Sequence, residues 1–98
     1  MQVTISGHHV ELTQAIKDYT EEKCSKIHRH FNEVDRMSVI LSVEKKQQKA
    51  EAKLHFLGQE FFADAYSDDL YKSIDAMIEK LDKQLNKQRQ KVKKARPA

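Results

Sequence analysis

Ninety-eight residues suit one domain, here 39% apolar and 34% charged, the charged share well above the roughly 25% of an average soluble domain. No apolar run approaches the roughly 20 residues of a membrane span, the N-terminus lacks the basic-then-apolar layout of a secretory signal, and the single cysteine excludes an internal disulfide, so the expected compartment is the cytoplasm. The net charge of +3 is unevenly spread: from Lys80 to the C-terminus there are eight Lys or Arg and one acid, a local +7, against −4 over residues 1–79. Such a gathering of positive charge creates a field suited to a polyanion, either nucleic acid or an anionic membrane surface.

Along the chain, residues 2–6 alternate, with Val3 and Ile5 on one side and Thr4 and Ser6 on the other, and predict a short strand stopped by Gly7. Thr13 is placed to cap a helix that runs to about Phe31. At 100° per residue Leu12, Ile16, Thr20, Cys24, Ile27 and Phe31 form its buried stripe. Residues 35–45 change to period two, with Met37, Val39, Leu41 and Val43 on one face. After a polar KKQQ turn, Ala50, Ala52, Leu54 and Phe56 alternate with charged residues, and a second turn at residues 57–59 leads to Phe61, Ala63 and Ala65. Asp68 is the expected cap of a last helix beginning near Leu70, whose apolar stripe is Leu70, Ile74, Met77, Ile78, Leu81, Leu85 and Val92. Its last two turns hold almost nothing apolar and should project beyond the core or fray.

The order is β-α-β-β-β-α, an α+β fold best satisfied by a four-stranded sheet with both helices on one face and the other face wet. A single domain over residues 1–95 with a short tail over residues 96–98 is expected.

The last helix is the most informative segment. Lys80, Lys83, Lys87, Lys91 and Lys94 stack within a band of roughly 80° on one flank of the apolar stripe, while Asp75, Glu79 and Asp82 lie on the other flank. A row of ammonium groups about one turn apart can track a phosphate backbone and release its counterions. A solvated helix end favoured by the macrodipole would carry similar charge, but it does not require acids and bases to be sorted onto opposite flanks. Lys23, Lys26 and His30, with Arg29 close by, form a second basic patch on the first helix. With the helices side by side these bases could share a groove with the Lys80 row; equally, they could pair with nearby acids such as Glu22.

The remaining features carry less. His8 and His9 lack a third metal ligand, and His28 and His30 face different directions. Cys24 sits on the buried stripe and reads as core rather than nucleophile. Tyr19, Phe31, Phe61, Phe62 and Tyr66 read mostly as core, not as an exposed platform for stacking bases. No catalytic constellation, phosphate loop or metal set is present in the sequence, so neither catalysis nor a cofactor is expected.

The segments MQVTISGHHVELTQAIKDY, SVILSVEK and above all SDDLYKSIDAMIEKLDKQLNKQRQK resemble the ribosome hibernation promoting factors, which form a family with the ribosome-associated inhibitor, or protein Y. The resemblance covers nearly the whole chain. It implies a β-α-β-β-β-α fold akin to the double-stranded-RNA-binding domain. It also implies binding to 16S rRNA of the small ribosomal subunit, in the channel of messenger and transfer RNA between head and body. Translation would be inhibited by occupancy, without chemistry. The contacts carried over are Lys23, Lys26, Arg29, Lys80, Lys83, Gln84, Lys87 and Lys91, with Lys93, Lys94 and Arg96 less firmly placed. Ending at Ala98, the chain best matches the short hibernation promoting factors, which stabilise inactive ribosome dimers in stationary phase beside a ribosome modulation factor. A monomer is expected when free.

Three other readings compete: a double-stranded-RNA binder with non-ribosomal targets, a scaffold domain using its basic helix on an acidic protein, and a membrane-surface helix. The first usually places its bases at the start of the last helix, which here opens with the acidic DDLYKSID. The last lacks a bulky exposed apolar face.

Overall fold

The computed structural model describes the backbone of residues 1–95 and the side chains of residues 1–93. The Lys94 side chain, Arg96 and the tail expected over residues 96–98 lie outside the described residues. The elements are β1 (Gln2–His8), α1 (Gln14–His30), β2 (Arg36–Glu44), β3 (Gln47–Phe56), β4 (Gln59–Ser67) and α2 (Leu70–Ala95). They follow the predicted order. The four strands form one sheet, β1-β2-β3-β4, in which β1 runs parallel to β2 and the remaining pairs are antiparallel. The parallel pair follows from α1, which carries the chain back across the sheet before β2 begins.

Strand alternation sends Met37, Val39, Leu41, Ala50, Ala52, Leu54, Phe56, Ala63 and Ala65 to the helix-covered face, where all are buried. Ile16, Cys24 and Ile27 of α1, with Phe31 capping its end, and Leu70, Ile74, Met77, Ile78, Leu81 and Leu85 of α2 pack on them in one continuous core. Each large aliphatic side chain so buried contributes about 1.5–3 kcal/mol relative to exposure. Alanines on β3 and β4 keep the sheet surface low beneath α2, which lets a helix with bulky Leu, Ile and Met approach closely. Two of the buried hydroxyls are held by backbone carbonyls. Thr20 donates to the Ile16 carbonyl, and Ser73 donates to the Gln48 carbonyl of β3, tying the first turn of α2 to the sheet.

Several boundaries differ from expectation, each for a physical reason. β1 does not stop at Gly7; it continues to His8, with Gly7 paired to Leu41. The glycine answers a close approach instead: a Cβ there would lie 2.8 Å from the Val10 carbonyl oxygen and 2.9 Å from Leu12 Cγ. Thr13 caps α1 as predicted, its hydroxyl accepting from the Ile16 amide at 3.2 Å. The cap of α2 is Asp69, not Asp68: its Oδ1 accepts from the Tyr71 amide at 2.7 Å, because a cap must immediately precede the first helical residue. Asp68 pairs with Lys72 one turn on.

The KKQQ segment closes as a two-residue hairpin of Lys45 and Lys46, with Glu44 opposite Gln47 and Lys45 at φ 56°. The second hairpin places Leu57 (φ 50°) and Gly58 (φ 79°) in its centre, the two positive φ values that suit the twist of flanking strands.

α2 remains helical to Ala95, although its last fully buried side chain is Leu85. Ten further residues at 1.5 Å each extend it by about 15 Å. The molecule is accordingly elongated, 51 × 23 × 16 Å, with a radius of gyration of 14.2 Å against about 13 Å for a compact chain of this size.

Two outcomes test this packing. Gly7→Ala is expected to cost about 1–3 kcal/mol, because the added methyl meets a backbone oxygen, which cannot yield, as well as the Leu12 side chain; a shift of the urea midpoint at unchanged slope would register it. Cys24 has no exposed surface, and burial, with the Glu21 carboxylate adding to it, pushes its thiol up to about 12. A disulfide reagent at neutral pH should leave Cys24 unmodified in the native protein and modify it fully in guanidinium.

Candidate nucleic-acid interface

The rotation of α2 about its axis is set by its apolar stripe, and that rotation distributes the charges. Lys80, Lys83, Gln84, Lys87 and Lys91 fall on the flank above β4, the outer strand of the sheet. Lys80 Nζ donates to the Asp64 carbonyl at 2.6 Å and Gln84 Nε2 to the Phe62 carbonyl at 3.2 Å. These side chains cover outward-facing carbonyls of an edge strand that would otherwise be open to another strand. Lys83 stands higher on the helix, 78% exposed, with only a 3.9 Å approach to Glu79. Lys87 and Lys91 are exposed, and among the described residues neither has an acidic partner within ion-pair distance. The row is therefore graded: its first members brace the sheet edge, and its later members stand free.

Asp75, Glu79 and Asp82 fall on the opposite flank and face α1. There they meet Lys23, Lys26 and His30 across a groove floored by Ile27 and Ile78. Lys23 Nζ is 3.5 Å from Asp75 Oδ1 and lies over the Tyr19 ring, 5.3 Å from its centroid. The Tyr19 hydroxyl donates to the same carboxylate, and the Tyr19 and Tyr71 rings pack edge to face at 4.8 Å. Accepting that hydrogen bond, the carboxylate raises the Tyr19 phenol above its usual range, with burial adding to the rise. Lys23 and Lys26 are close enough to compete for protons. Their contact raises Lys23 and lowers Lys26 from the usual lysine range, and the Asp75 charge adds to the rise at Lys23.

The shared groove considered from the sequence is thus corrected. The helices do lie side by side, but the apolar stripe turns the acids of α2, not the Lys80 row, toward α1. Lys23 and Lys26 face those acids. Arg29 is exposed elsewhere on α1, beside a depression lined by Met1, Val3, Glu21, Ser25 and His28. The structure joins Lys80, Lys83, Gln84, Lys87 and Lys91 in one row, joins Lys23 with Lys26 in a second place, and leaves Arg29 apart from both.

Sequence reasoning missed Arg89. Its guanidinium donates to the His30 carbonyl and lies 4.4 Å from the centroid of the Phe31 ring. A cation at the carbonyl end of α1 also suits that helix's dipole. His30 Nδ1 lies 3.2 Å from Asp82 Oδ1 at the same end. The signal was present: Arg89 falls between the apolar and acidic zones of α2, away from the other bases. Phe62 and Tyr66, expected mostly in the core, are not buried. They are 50% and 53% exposed on the sheet face turned from the helices.

Among the described residues there is no group of three or more His, Cys, Asp or Glu placed to hold a metal, and no helix long and apolar enough to cross a membrane.

The sequence matches the family described as Sigma 54 modulation protein / S30EA ribosomal protein over residues 3–93. A ribosome hibernation promoting factor of Azotobacter vinelandii is 48% identical over 93% of this chain and 85% of its own length. That of Escherichia coli K12 is 38% identical over 95% of this chain and 98% of its own. Among solved structures, a ribosomal subunit interface protein from Coxiella burnetii superimposes with a TM-score of 0.81 at 29% identity, covering 91% of this chain and 98% of its own. The N-terminal domain of Thermus thermophilus Protein Y gives 0.81 at 28% identity, covering 89% and 98%. Matched over residues 3–93 by the family model and nearly end to end by these relatives, the chain belongs to the ribosome hibernation promoting factors of the Sigma 54 modulation protein / S30EA family, ribosome-binding proteins that are not enzymes.

Proposed function

We propose that this chain binds the small ribosomal subunit through its 16S rRNA, in the channel otherwise taken by messenger and transfer RNA. There it silences translation by occupancy. The observation that carries the reading is the row Lys83, Lys87 and Lys91, whose members are exposed and a turn apart; among the described residues Lys87 and Lys91 have no acidic partner within ion-pair distance, and Lys83 has only a 3.9 Å approach to Glu79. Ammonium groups at that spacing can each replace a counterion on a phosphate chain. Lys80 and Gln84 hold the row against β4, and the exposed Lys93 adds positive charge near the end of the helix. Lys23 and Lys26 form a second and lesser contact, since Asp75, Glu79 and Asp82 offset their charge. Arg29, exposed on α1, serves as an outlying phosphate contact.

The relatives named as hibernation promoting factors support extending the reading to inactive ribosomes. In stationary phase the bound chain would promote or stabilise ribosome dimers, with a ribosome modulation factor as a partner in the dimer. The chain works in the cytoplasm, free as a monomer, and needs no cofactor.

Co-sedimentation of the purified protein with small subunits on a sucrose gradient, with and without initiator transfer RNA, tests the central claim. Comigration that the transfer RNA suppresses is expected; protein left at the top of the gradient would refute the ribosomal reading. Lys83→Glu combined with Lys87→Glu should weaken subunit binding at unchanged helicity by circular dichroism, and full retention of affinity would remove the α2 row from the interface. Binding should also fall steeply with salt. The log-log slope of the double variant should be shallower than that of the parent by about two, one for each phosphate that a lysine no longer neutralises, and equal slopes would count against phosphate binding by these lysines.

A further inference from the structure

The face of the sheet turned from the helices is not the plain hydrophilic surface that its Ser, Thr, Lys and Glu content predicts. Three cross-strand rows run over it: Ser38–Lys53–Phe62, Ile40–Glu51–Asp64 and Ser42–Lys49–Tyr66. Ile40, Phe62 and Tyr66 are 42%, 50% and 53% exposed. A shallow depression of about 310 Å³ lies between Ile40 and Phe62, with Ser38, Glu51 and Lys53 on its rim. Large apolar side chains gathered on one face, with nothing in the described fold above them, mark a surface that is covered in use.

The charge on this face chooses between occupants. Its acids are Glu44, Glu51, Glu60 and Asp64, and its bases Arg36, Lys49 and Lys53, so that it is slightly negative while the helical side of the molecule is positive. The lysines are already engaged. Lys49 lies 3.6 Å from Glu51, 3.9 Å from Asp64 and 5.2 Å from the Tyr66 ring centroid, and Lys53 lies 3.6 Å from Glu60, which His55 also approaches. At the centre, Glu51 and Asp64 sit directly opposite one another, next to Phe62. A phosphate chain would meet two adjacent carboxylates there, with a single lysine, Lys49, already shared between them; the face's remaining base, Arg36, lies away from this centre at the start of β2. A cation would meet two carboxylates that share only the one lysine, leaving a net negative charge, and beside them the open Phe62 ring, the two kinds of group that hold a guanidinium.

We propose that the open face of the sheet docks a basic, extended protein segment of the small subunit, with an arginine over Phe62 held by Asp64 and Glu51 and the apolar part of the segment lying on Ile40 and Tyr66. This rests on the ribosomal reading and gives the molecule two working sides, the helical one for rRNA and the sheet for protein.

The test uses Phe62→Cys labelled with a benzophenone maleimide. Cys24 has no exposed surface, so the label goes to position 62 alone. The labelled protein is bound to purified small subunits, irradiated, and the complex digested with ribonuclease. A ribonuclease-resistant adduct to a subunit protein is the expected result. Comigration with an adduct to rRNA, or with no adduct, overturns the docking proposal and leaves the ribosomal reading standing; failure to comigrate overturns both. Glu51→Lys with Asp64→Lys gives an independent sign. A basic partner predicts affinity for the subunit lower by about tenfold at unchanged circular dichroism. Tighter binding would identify RNA on this face, and unchanged binding a free surface, and either refutes the proposal.

Discussion

Leu70, Ile74, Met77, Ile78, Leu81 and Leu85 press α2 onto a sheet whose surface is lowered by alanines at 50, 52, 63 and 65, and this contact fixes the helix in rotation as well as in position. A helix free to roll by a quarter turn could present its bases or its acids to any neighbour. Once these side chains are seated, the acidic zone must face α1 and the basic zone must overhang β4. The charge pattern of the surface is therefore a consequence of core packing. A substitution that loosened the stripe would blur the interface without touching a single lysine.

The acidic zone then has a structural role of its own. Asp75 receives Lys23 and Tyr19, Asp82 receives His30, and Arg89 reaches back to the end of α1 over Phe31. Exposed pairs of this kind stabilise little individually. Spread along the groove, they hold two helices that share only part of their length as direct apolar contact. They also explain why bases on α1 and bases on α2 are not equivalent. Lys23 is drawn into the groove, 24% exposed along its side chain, whereas Lys83 stands over solvent.

Most of the architecture was legible because two periods were enough to read it. Alternation identified the strands, and the 3.6-residue stripe identified both helices and which face each buries. What escaped depends on contacts between distant residues. The acid placed across the groove from Lys23 cannot be read from α1, and strand order cannot be read from alternation. Gly7 was misassigned because a glycine demanded by the nearby Val10 and Leu12 looks, in sequence, like one that ends a strand. Phe62 and Tyr66 are a different case. Their parity with Asp64, opposite to that of Phe61, Ala63 and Ala65, places them on the open face, although aromatic side chains of this size are ordinarily buried.

The end of α2 shows how a binding surface and a stable helix can come from the same residues. Beyond Leu85 little packing supports the helix, and what remains is propensity: Lys, Gln, Arg and Ala are good helix formers, and no Gly or Pro interrupts residues 70–95. Bases near a C-terminus suit the macrodipole, yet Lys83, Lys87 and Lys91 at successive four-residue steps repel one another by a few tenths of a kcal/mol per pair. Glu79 approaches Lys83 at 3.9 Å, but beyond Asp82 the sequence adds no acid to relieve the repulsion at Lys87 and Lys91. A line of phosphates beside the row would relieve it, so contact with a polyanion would firm the same turns that make the contact.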